Sequence, residues 1–467
     1  MLNELAGRVE AWVGERREQL IGELSRWVAQ PSVSATGEGM AEAGQYAAGL
    51  LTSCGLEPEV VRTDGWPVIL GRAPGPEHAP HVLIYGHYDV QPPGPLGQWA
   101  SPPFTPEIRG DRMFGRGVAD NKGQHLAQLL GLRALRELAG GLPCRVTVLL
   151  DGEEETGSPH LPRAVREIFA GGRPDLVVWS DGPVHESGRA CVVLGVRGII
   201  TFKLRAHGAS RPLHSGNWGG VAPNPAWRLV QLLASMRDAE GRVLVEGFAD
   251  GVRPLSPGER AALQVLPLDL PELLSGIGTT SMEPPAAPGY YERLAQPTFT
   301  INSLTCADAG EHRTVIPSVA VASCDVRLVG GQRASQVVDA IRRHVAVHAP
   351  DVEFIPGVSM PPSRTLPESP YTAAVRAGAA AGLGEEPLLV PALGGSLPLA
   401  AFSEELGVPC YGMPLANVDE SNHAPNENLQ LNWFLRGIVA AAAVQHAIAG
   451  HEAHHGPAGG RDSGGTD

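Results

Sequence analysis

The sequence lacks paired cysteines: the six, at positions 54, 144, 191, 306, 324 and 410, are scattered, and no CxxC motif occurs. This spacing argues against a thiolate zinc site and against a disulfide framework. Long apolar stretches are also absent, since the longest run, Gly437 to Val444, is far shorter than the ~20 residues that span a bilayer. The N-terminus has no apolar segment typical of a signal peptide. We therefore expect a cytoplasmic protein without a membrane partner.

Dense runs of lysine and arginine are missing too, and the formal net charge is −14. Because a surface that follows a phosphate backbone is basic, we expect no nucleic-acid partner. The remaining composition, 43% hydrophobic and 18% charged residues, is that of a globular protein, and 58 glycines and 42 prolines indicate many loops. A chain of 467 residues can form a large domain with a smaller one inserted into it.

Short apolar runs alternate with helical patterns in the first part of the chain. HVLIYG (81–86), RVTVLLD (145–151) and DLVVWSD (175–181) have the composition of buried strands, and Lys122 to Leu138 that of a helix. The first thirty residues have the periodicity of one amphipathic helix. This alternation predicts an α/β catalytic domain with a mostly parallel central sheet covered by helices.

The pattern changes after residue 195, where strands and helices follow in the order β, α, β, β, α. This order predicts an inserted α+β, ferredoxin-like lid with one antiparallel sheet. We place the first part of the catalytic domain at 1–195, the lid at 196–362 and the second part at 363–450. The tail, 451–467, has no apolar period and is predicted to be disordered. Its three histidines could also form a weak metal-binding tract.

Acidic and imidazole side chains cluster where the predicted strands end. His87 and Asp89 follow the strand at 81–86, and Asp181 ends the strand at 175–181. In such sheets, ligands gather at the carboxyl ends of the strands. The HxD pair fits an imidazole ligand oriented by a carboxylate. The pair fits equally well a histidine in a turn that is hydrogen-bonded to an aspartate.

Three further clusters are ambiguous when each is taken alone. Asp120, in GRGVADNKGQ, precedes a predicted helix and could simply cap its N-terminus. Glu153, Glu154 and Glu155, in LLDGEEETGS, would ordinarily lie in a solvated loop, but after a buried strand their mutual repulsion must be offset by cations. His423 lies in the polar loop DESNHAPNENL before the last helical pattern.

A pair of divalent metal ions explains the five clusters together. Two imidazoles and three or four carboxylates suit Zn²⁺, Mn²⁺ or Co²⁺, and the absence of cysteine at these positions favours a catalytic over a structural centre. Two such ions, about 3.5–4 Å apart, can clamp a bridging hydroxide and polarise a carbonyl. The residues therefore predict a metal-dependent hydrolase.

The motifs GHYDVQP, GRGVADNKG, GEEETGS, SDG and NHAPNE follow one another along the chain. In these motifs and their order the chain resembles the co-catalytic metallopeptidase family that includes carnosinase-type dipeptidases, glutamate carboxypeptidase, aminoacylase and succinyl-diaminopimelate desuccinylase. The resemblance extends from Leu5 to about Ala449. It implies two divalent metal ions per subunit, with zinc preferred over manganese and cobalt, and a homodimer formed through the lid.

The resemblance also implies metal ligands. Asp120 would bridge the two ions, with His87 and Asp181 on one ion and Glu155 and His423 on the other.

Two further residues would act beside these ligands. Asp89 would orient His87, and Glu154 would be the general base that takes a proton from the bridging water and passes it to the leaving amine. Every ligand position and the base are occupied. This argues against a catalytically silent homologue with a binding or scaffold role.

Residues of the inserted lid match the family as well. His214, in RPLHSGNWGG, would cross the dimer to stabilise an oxyanion. Arg327 in CDVRLVG and Thr314 in HRTVIP would hold the substrate carboxylate, with Ser396 in LGGSLP as a further contact. Without the resemblance, His214 would be a surface-loop histidine and Arg327 a surface charge.

The long lid insertion, at 238–296, and the motifs HSGNWGG and GGSLP favour the dipeptidase branch, so we expect hydrolysis of small carboxylate-bearing peptides. One departure affects the substrate: IPGVSMPPSRTLP lacks a histidine that some dipeptidases carry where the chain leaves the lid. An N-acyl-amino-acid deacylase or desuccinylase, or a specialised biosynthetic amidase, would share the same catalytic residues and stays an alternative.

Overall fold

The computed structural model describes residues 1–283, 289–306 and 314–451. The first segment alternates strands and helices, and the three predicted strands correspond to β3, β6 and β7. Its elements are α1 Leu2–Glu15, α2 Arg17–Ala29, α3 Met40–Ser53, β1 Glu57–Val61, β2 Val68–Ala73, β3 His81–His87, β4 Glu107–Arg109, β5 Arg112–Phe114, α4 Gly123–Ala139, β6 Arg145–Asp151, α5 Leu161–Ile168, β7 Leu176–Trp179, β8 Cys191–Val193 and β9 Gly195–Val196.

The first thirty residues form two helices rather than the single helix that the periodicity predicts. The chain leaves helical geometry at Arg16, where φ is −112° and ψ is 12°. Residues 14–19 bury no side chain, so no packing holds a continuous helix across this point. Each half instead buries its own apolar stripe, with Trp12 in α1 and Trp27 in α2.

The middle segment forms a second, smaller sheet. Its elements are β10 Gly198–His207, β11 Leu213–His214, α6 Ser215–Trp218, α7 Pro225–Met236, α8 Pro257–Gln264, α9 Leu270–Gly276, α10 Tyr290–Leu294, β12 Thr298–Cys306, β13 Val315–Ile316, β14 Val319–Leu328, α11 Ala334–His348 and β15 Glu353–Met360. The predicted Pro- and Gly-rich insertion contains α8, α9 and α10.

The antiparallel strand order β12–β14–β10–β15, with α7 and α11 as its helices, is the predicted ferredoxin-like arrangement. Both helices pack on one face, where Leu229 and Ile341 join the buried side chains of β10 and β14. Side chains alternate along a strand. Arg327 of β14 therefore points to the opposite, half-buried face.

The last segment returns to the first sheet. Its elements are β16 Ser363–Arg364, α12 Thr372–Leu383, β17 Leu388–Val390, α13 Ala400–Ser403, β18 Cys410–Gly412, β19 Asn428–Gln430 and α14 Leu431–Ala449. Short strands β9 and β16, which lead into and out of the middle segment, pair with each other. The predicted disordered tail lies outside the described residues beyond His451.

The central sheet has the order β1–β2–β6–β3–β7–β18–β8–β17. Its four middle strands, β6, β3, β7 and β18, run parallel, as predicted, and antiparallel pairs occur on either side of them. Helices α4, α12 and α14 contribute to the apolar core on this sheet. Because the middle strands point the same way, the loops that follow them meet at one edge. Among the described helices, none is both long and apolar enough to cross a membrane.

Candidate metal centre

Five side chains that the sequence singles out converge where the parallel strands end. His87 is the last residue of β3, Asp181 follows β7 by two residues, and Glu155 lies in the turn after β6. Asp120 precedes α4, and His423 lies in the loop between β18 and β19. They come together as two groups that share Asp120.

The first group is His87, Asp120 and Asp181, all buried. His87 Nε2 lies 3.1 Å from Asp120 Oδ1 and 3.3 Å from Asp181 Oδ2. One nitrogen and two carboxylate oxygens therefore face a common point.

The second group is Asp120, Glu155 and His423. His423 Nε2 lies 2.9 Å from Asp120 Oδ2 and 3.2 Å from Glu155 Oε2. The two oxygens of Asp120 thus belong to different groups. The His423 side chain is 53% exposed, against 0% for His87, so this group opens to solvent and a substrate can approach from its side.

The electrostatics of the two groups favour added positive charge. Burial and the neighbouring charge of Asp120 raise the pKa of Glu155 to about 7. Burial and Asp120 also raise the pKa of Asp181. Although burial opposes the charge of Asp120, hydrogen bonds from His423 and His87 hold its pKa well below the usual range. Carboxylates packed this closely need a counter-charge.

The donor set fits divalent metal ions of the zinc type. Imidazole nitrogen and carboxylate oxygen are ligands of Zn²⁺ and Mn²⁺, and ligands 2.0–2.1 Å from a tetrahedral zinc lie about 3.3 Å from one another. The separations of 2.9–3.3 Å within each group are close to this value. The described cysteines are free and lie outside both groups.

Asp89 orients the buried imidazole of His87. His87 Nδ1 lies 3.1 Å from the backbone oxygen of Asp89 and 3.3 Å from its Oδ1, so Nδ1–H donates to Asp89 and Nε2 faces the first group. The Asp89 carboxylate also accepts hydrogen bonds from two backbone N–H groups, of Glu154 at 3.2 Å and of Glu155 at 3.1 Å. This single carboxylate therefore connects the turn after β3 to the turn after β6.

Glu154 lies beside both groups without belonging to either. Its side chain forms no hydrogen bond with the described residues. Burial raises its pKa well above the usual range; the charge of His87 opposes this shift, and the charges of Glu155, Asp181 and Asp120 add to it. A carboxylate with a raised pKa can hold a proton near neutral pH.

Two further residues support the ligands, and the sequence reasoning missed both. The buried carboxylate of Glu427 accepts hydrogen bonds from Arg116 Nη1 and from three backbone N–H groups, including that of Asp120. Gln91 donates to Glu155 through its backbone N–H at 3.1 Å and its Nε2 at 3.0 Å. Glu427 lies in the motif NHAPNE and Gln91 in the motif GHYDVQP, and their place in these motifs is the only sequence signal for them.

The four predicted lid and substrate residues separate into two pairs. Arg327 Nη1 donates to Ser396 Oγ at 2.9 Å, joining the smaller sheet to the glycine-rich loop after β17. His214 and Thr314 are exposed; His214 ends β11 and pairs with Val315 of β13, and Thr314 directly precedes β13. Among the described residues, neither forms a hydrogen bond or ion pair with the metal-binding groups, and His214 Nδ1 accepts from the N–H of Gly216.

The sequence matches the model of peptidase family M20/M25/M40 over residues 83–446. A Cys-Gly metallodipeptidase of Schizosaccharomyces pombe, dug1, is 26% identical over 464 residues, which cover 94% of this chain and 97% of that protein. The human Beta-Ala-His dipeptidase is 28% identical over 391 residues, which cover 81% of this chain and 76% of that protein.

Solved structures share the fold along nearly the whole chain. The M20 family metallo-carboxypeptidase Sso-CP2 of Sulfolobus solfataricus has a TM-score of 0.85 and 29% identity, over 92% of this chain and 99% of that one. Human carnosine dipeptidase 1 has a TM-score of 0.79 and 25% identity, over 96% and 99% of the two chains.

Proposed function

The chain belongs to peptidase family M20/M25/M40, and we propose that it is a metal-dependent dipeptidase that hydrolyses the peptide bond of small substrates with a free carboxylate. The strongest support for this proposal is the position of Asp120. Its two carboxylate oxygens face two different groups of imidazole and carboxylate side chains. The relatives named as dipeptidases support the substrate class.

Two divalent ions would occupy the two groups, with Zn²⁺ preferred. His87, Asp120 and Asp181 would hold one ion, and Asp120, Glu155 and His423 the other. When bound, such ions polarise a carbonyl and lower the pKa of water to near 7.

Glu154 would act as the general base and then as the general acid. Its carboxylate would take the proton of the attacking water and return it to the amine nitrogen as the peptide bond breaks. Because the side chain forms no hydrogen bond with the described residues, no local bond must break before it takes the proton. Asp89 would keep the turn that carries Glu154 in place through two backbone N–H groups.

Arg327 and Ser396 would bind the substrate carboxylate. A guanidinium and a hydroxyl 2.9 Å apart form a small donor pair, and an ionised acceptor makes such hydrogen bonds stronger than those between neutral groups. Thr314 would contribute from the residue that directly precedes β13. Such an anchor would select the peptide bond of the substrate's C-terminal residue for cleavage.

His214 would act across a homodimer formed by the smaller sheet. The imidazole is exposed and has no contact with its own chain's metal-binding groups among the described residues. The middle segment exposes apolar side chains: Trp227 is 65% exposed, and edge strand β12 exposes Ile301 and Leu304. Exposed apolar patches and open strand edges are typical of protein interfaces. The free cysteines are compatible with a cytoplasmic location.

Amine release from matched panels tests the proposed reaction. We expect metal-loaded protein to hydrolyse unmodified dipeptides, and Glu154→Gln to reduce kcat by about 10²–10⁴-fold, the usual contribution of a general base. Turnover confined to N-acetyl or N-succinyl amino acids would replace the dipeptidase assignment with a deacylase. No turnover on either panel, with metal bound, would contradict both.

A further inference from the structure

A cavity of about 260 Å³ lies between the central sheet and the lid insertion. No proposed metal ligand or substrate-binding residue lines it. However, Pro183, two residues after Asp181, and Gly394, two residues before Ser396, both do. Val418, also on its wall, is 47% exposed, which gives the cavity an opening to solvent. The cavity thus adjoins the proposed metal centre and the carboxylate-binding loop.

The loop that carries Ser396 forms one wall of this cavity. The buried Arg197 donates its backbone N–H to the carbonyl oxygens of Leu393 and Gly395, at 3.3 and 3.1 Å. A Cβ on Gly394 would lie 4.0 Å from Leu294 Cδ2, so this leucine of α10 packs close to the loop. The position of Ser396 and the shape of the cavity are therefore set by the same contacts.

The polar side chains of the wall are largely paired with one another. Arg364 and Glu259 form a salt bridge, and the Tyr291 hydroxyl lies 2.8 Å from His185 Nε2 and donates to Glu186 Oε1 at 2.6 Å. Apart from Arg197 and the exposed Arg253, the rest of the wall is mostly apolar. It comes mainly from the insertion and from the strands beside it, through Leu255, Leu263, Leu266, Leu294, Val390 and Leu393. Burying an apolar side chain of a ligand against such a surface is favourable, because it removes apolar area from water.

We propose that this cavity receives the side chain of the substrate's C-terminal residue and gives the enzyme a preference for large apolar residues there. The inference rests on the proposed function, because the carboxylate of that residue must bind Arg327 and Ser396. Its size is adequate, since an apolar cavity of about 150 Å³ already holds benzene. The charged groups of the walls are Arg364, Glu259 and Glu186, the buried Arg197, whose Nη2 donates to the Gln296 carbonyl oxygen and Thr298 Oγ1, and the exposed Arg253, and apolar side chains outnumber them.

The test compares kcat/KM for Ala-Phe, Ala-Leu and Ala-Gly with that for Phe-Ala, Leu-Ala and Gly-Ala. We expect Ala-Phe and Ala-Leu to exceed Ala-Gly by at least about tenfold, in the range that an apolar pocket provides. Leu294→Trp, which fills the cavity, should remove this preference while leaving Ala-Gly turnover in place. Leu294→Ala should retain the preference for Phe over Gly. Leu268→Trp, on an exposed part of the same insertion outside the cavity, is the matched control and should behave like wild type.

Calorimetric binding of free L-phenylalanine and glycine separates this inference from the proposed function. Dipeptide hydrolysis without a C-terminal preference, or equal loss on all substrates in Leu294→Trp, would overturn the cavity assignment alone. If no dipeptide is hydrolysed, but L-phenylalanine binds more tightly than glycine and Leu294→Trp removes the difference, the cavity assignment stands and the dipeptidase proposal fails. Equal binding of the two amino acids without hydrolysis would overturn both.

Discussion

The carboxylate of Glu427 accepts a hydrogen bond from the backbone N–H of Asp120 at 3.0 Å, although the two residues are 307 positions apart. The same carboxylate also accepts from Gly117, Ala119 and Arg116. Glu427 lies in the same loop as His423 and therefore holds the turn that contains Asp120 in place. Asp120 and His423 both belong to the second group of candidate metal ligands.

Glu427→Gln is expected to weaken metal binding. An amide presents an NH₂ group to backbone N–H donors that need an acceptor, so the turn at Asp120 must shift. Changes to groups that orient metal ligands typically cost about 10–100-fold in metal affinity, which chelator competition and the visible spectrum of the Co²⁺-substituted protein would measure. Glu107→Gln, at an exposed carboxylate, is the control. A lower melting temperature with unchanged metal affinity would assign Glu427 a structural role only.

Asp120→Ala and Asp181→Ala should differ in metal content. Asp120 contributes an oxygen to both groups, whereas Asp181 belongs to one. Elemental analysis after dialysis should find both ions lost from Asp120→Ala and one retained by Asp181→Ala. Because metal ions supply several kcal/mol of transition-state stabilisation, kcat/KM of Asp120→Ala should fall by roughly 10³-fold or more. Equal metal loss in the two variants would exclude a bridging role for Asp120.

Arg327→Met should impair substrates that carry a C-terminal carboxylate. Hydrogen bonds to charged groups contribute about 1.5–3 kcal/mol, so kcat/KM for a dipeptide should fall by about 10–100-fold. The corresponding dipeptide amide lacks this charge and should be affected much less, so its kinetics serve as the internal control. A similar decrease in kcat/KM for both compounds would mean that Arg327 does not bind the substrate carboxylate.

Two glycine substitutions should change stability in opposite directions. Helices α12 and α14 approach closely at Gly382, where a Cβ would lie 2.2 Å from Ala440 Cα. Gly382→Ala should lower the free energy of unfolding by about 1–3 kcal/mol, the usual cost of overpacking. Gly49, inside α3, has no atom within 4 Å of an added Cβ, so Gly49→Ala should raise it by up to about 1 kcal/mol. Urea denaturation at equal metal loading measures both.

The buried thiols should be unreactive and should limit stability at alkaline pH. Burial raises the pKa of Cys54 to about 11 and that of Cys144, Cys191, Cys324 and Cys410 to about 12. Since these values exceed the unfolded value of 9.0, their contribution is complete below pH 9 and is lost as the pH rises towards 12. A disulfide reagent at pH 8 should modify the half-buried Cys306 in the folded protein and all six thiols after unfolding. Rapid modification of the other five in the folded state would contradict this prediction.

Local sequence determined the elements and the position of each metal-binding candidate along the chain. An apolar run followed at once by His87 predicts both a buried strand and a polar residue at its end, because side-chain burial and strand direction depend on neighbours in sequence. The inserted ferredoxin-like sheet was predictable for the same reason. The prediction of one helix missed the break at Arg16, although the apolar period is interrupted there: residues 14–19, GERREQ, contain no large apolar side chain.

Contacts between distant segments were decided by the tertiary structure alone. The sequence cannot indicate that Glu427 holds the turn at Asp120, that Arg327 donates to Ser396, or that Leu294 closes a cavity beside the glycine-rich loop. Each depends on how the sheets and the insertion pack, and that packing results from the burial of many apolar side chains together. The sequence by itself therefore determined which catalytic and metal-binding side chains are available to this protein. The tertiary structure decided which groups hold those side chains in position and what shape of substrate can reach them.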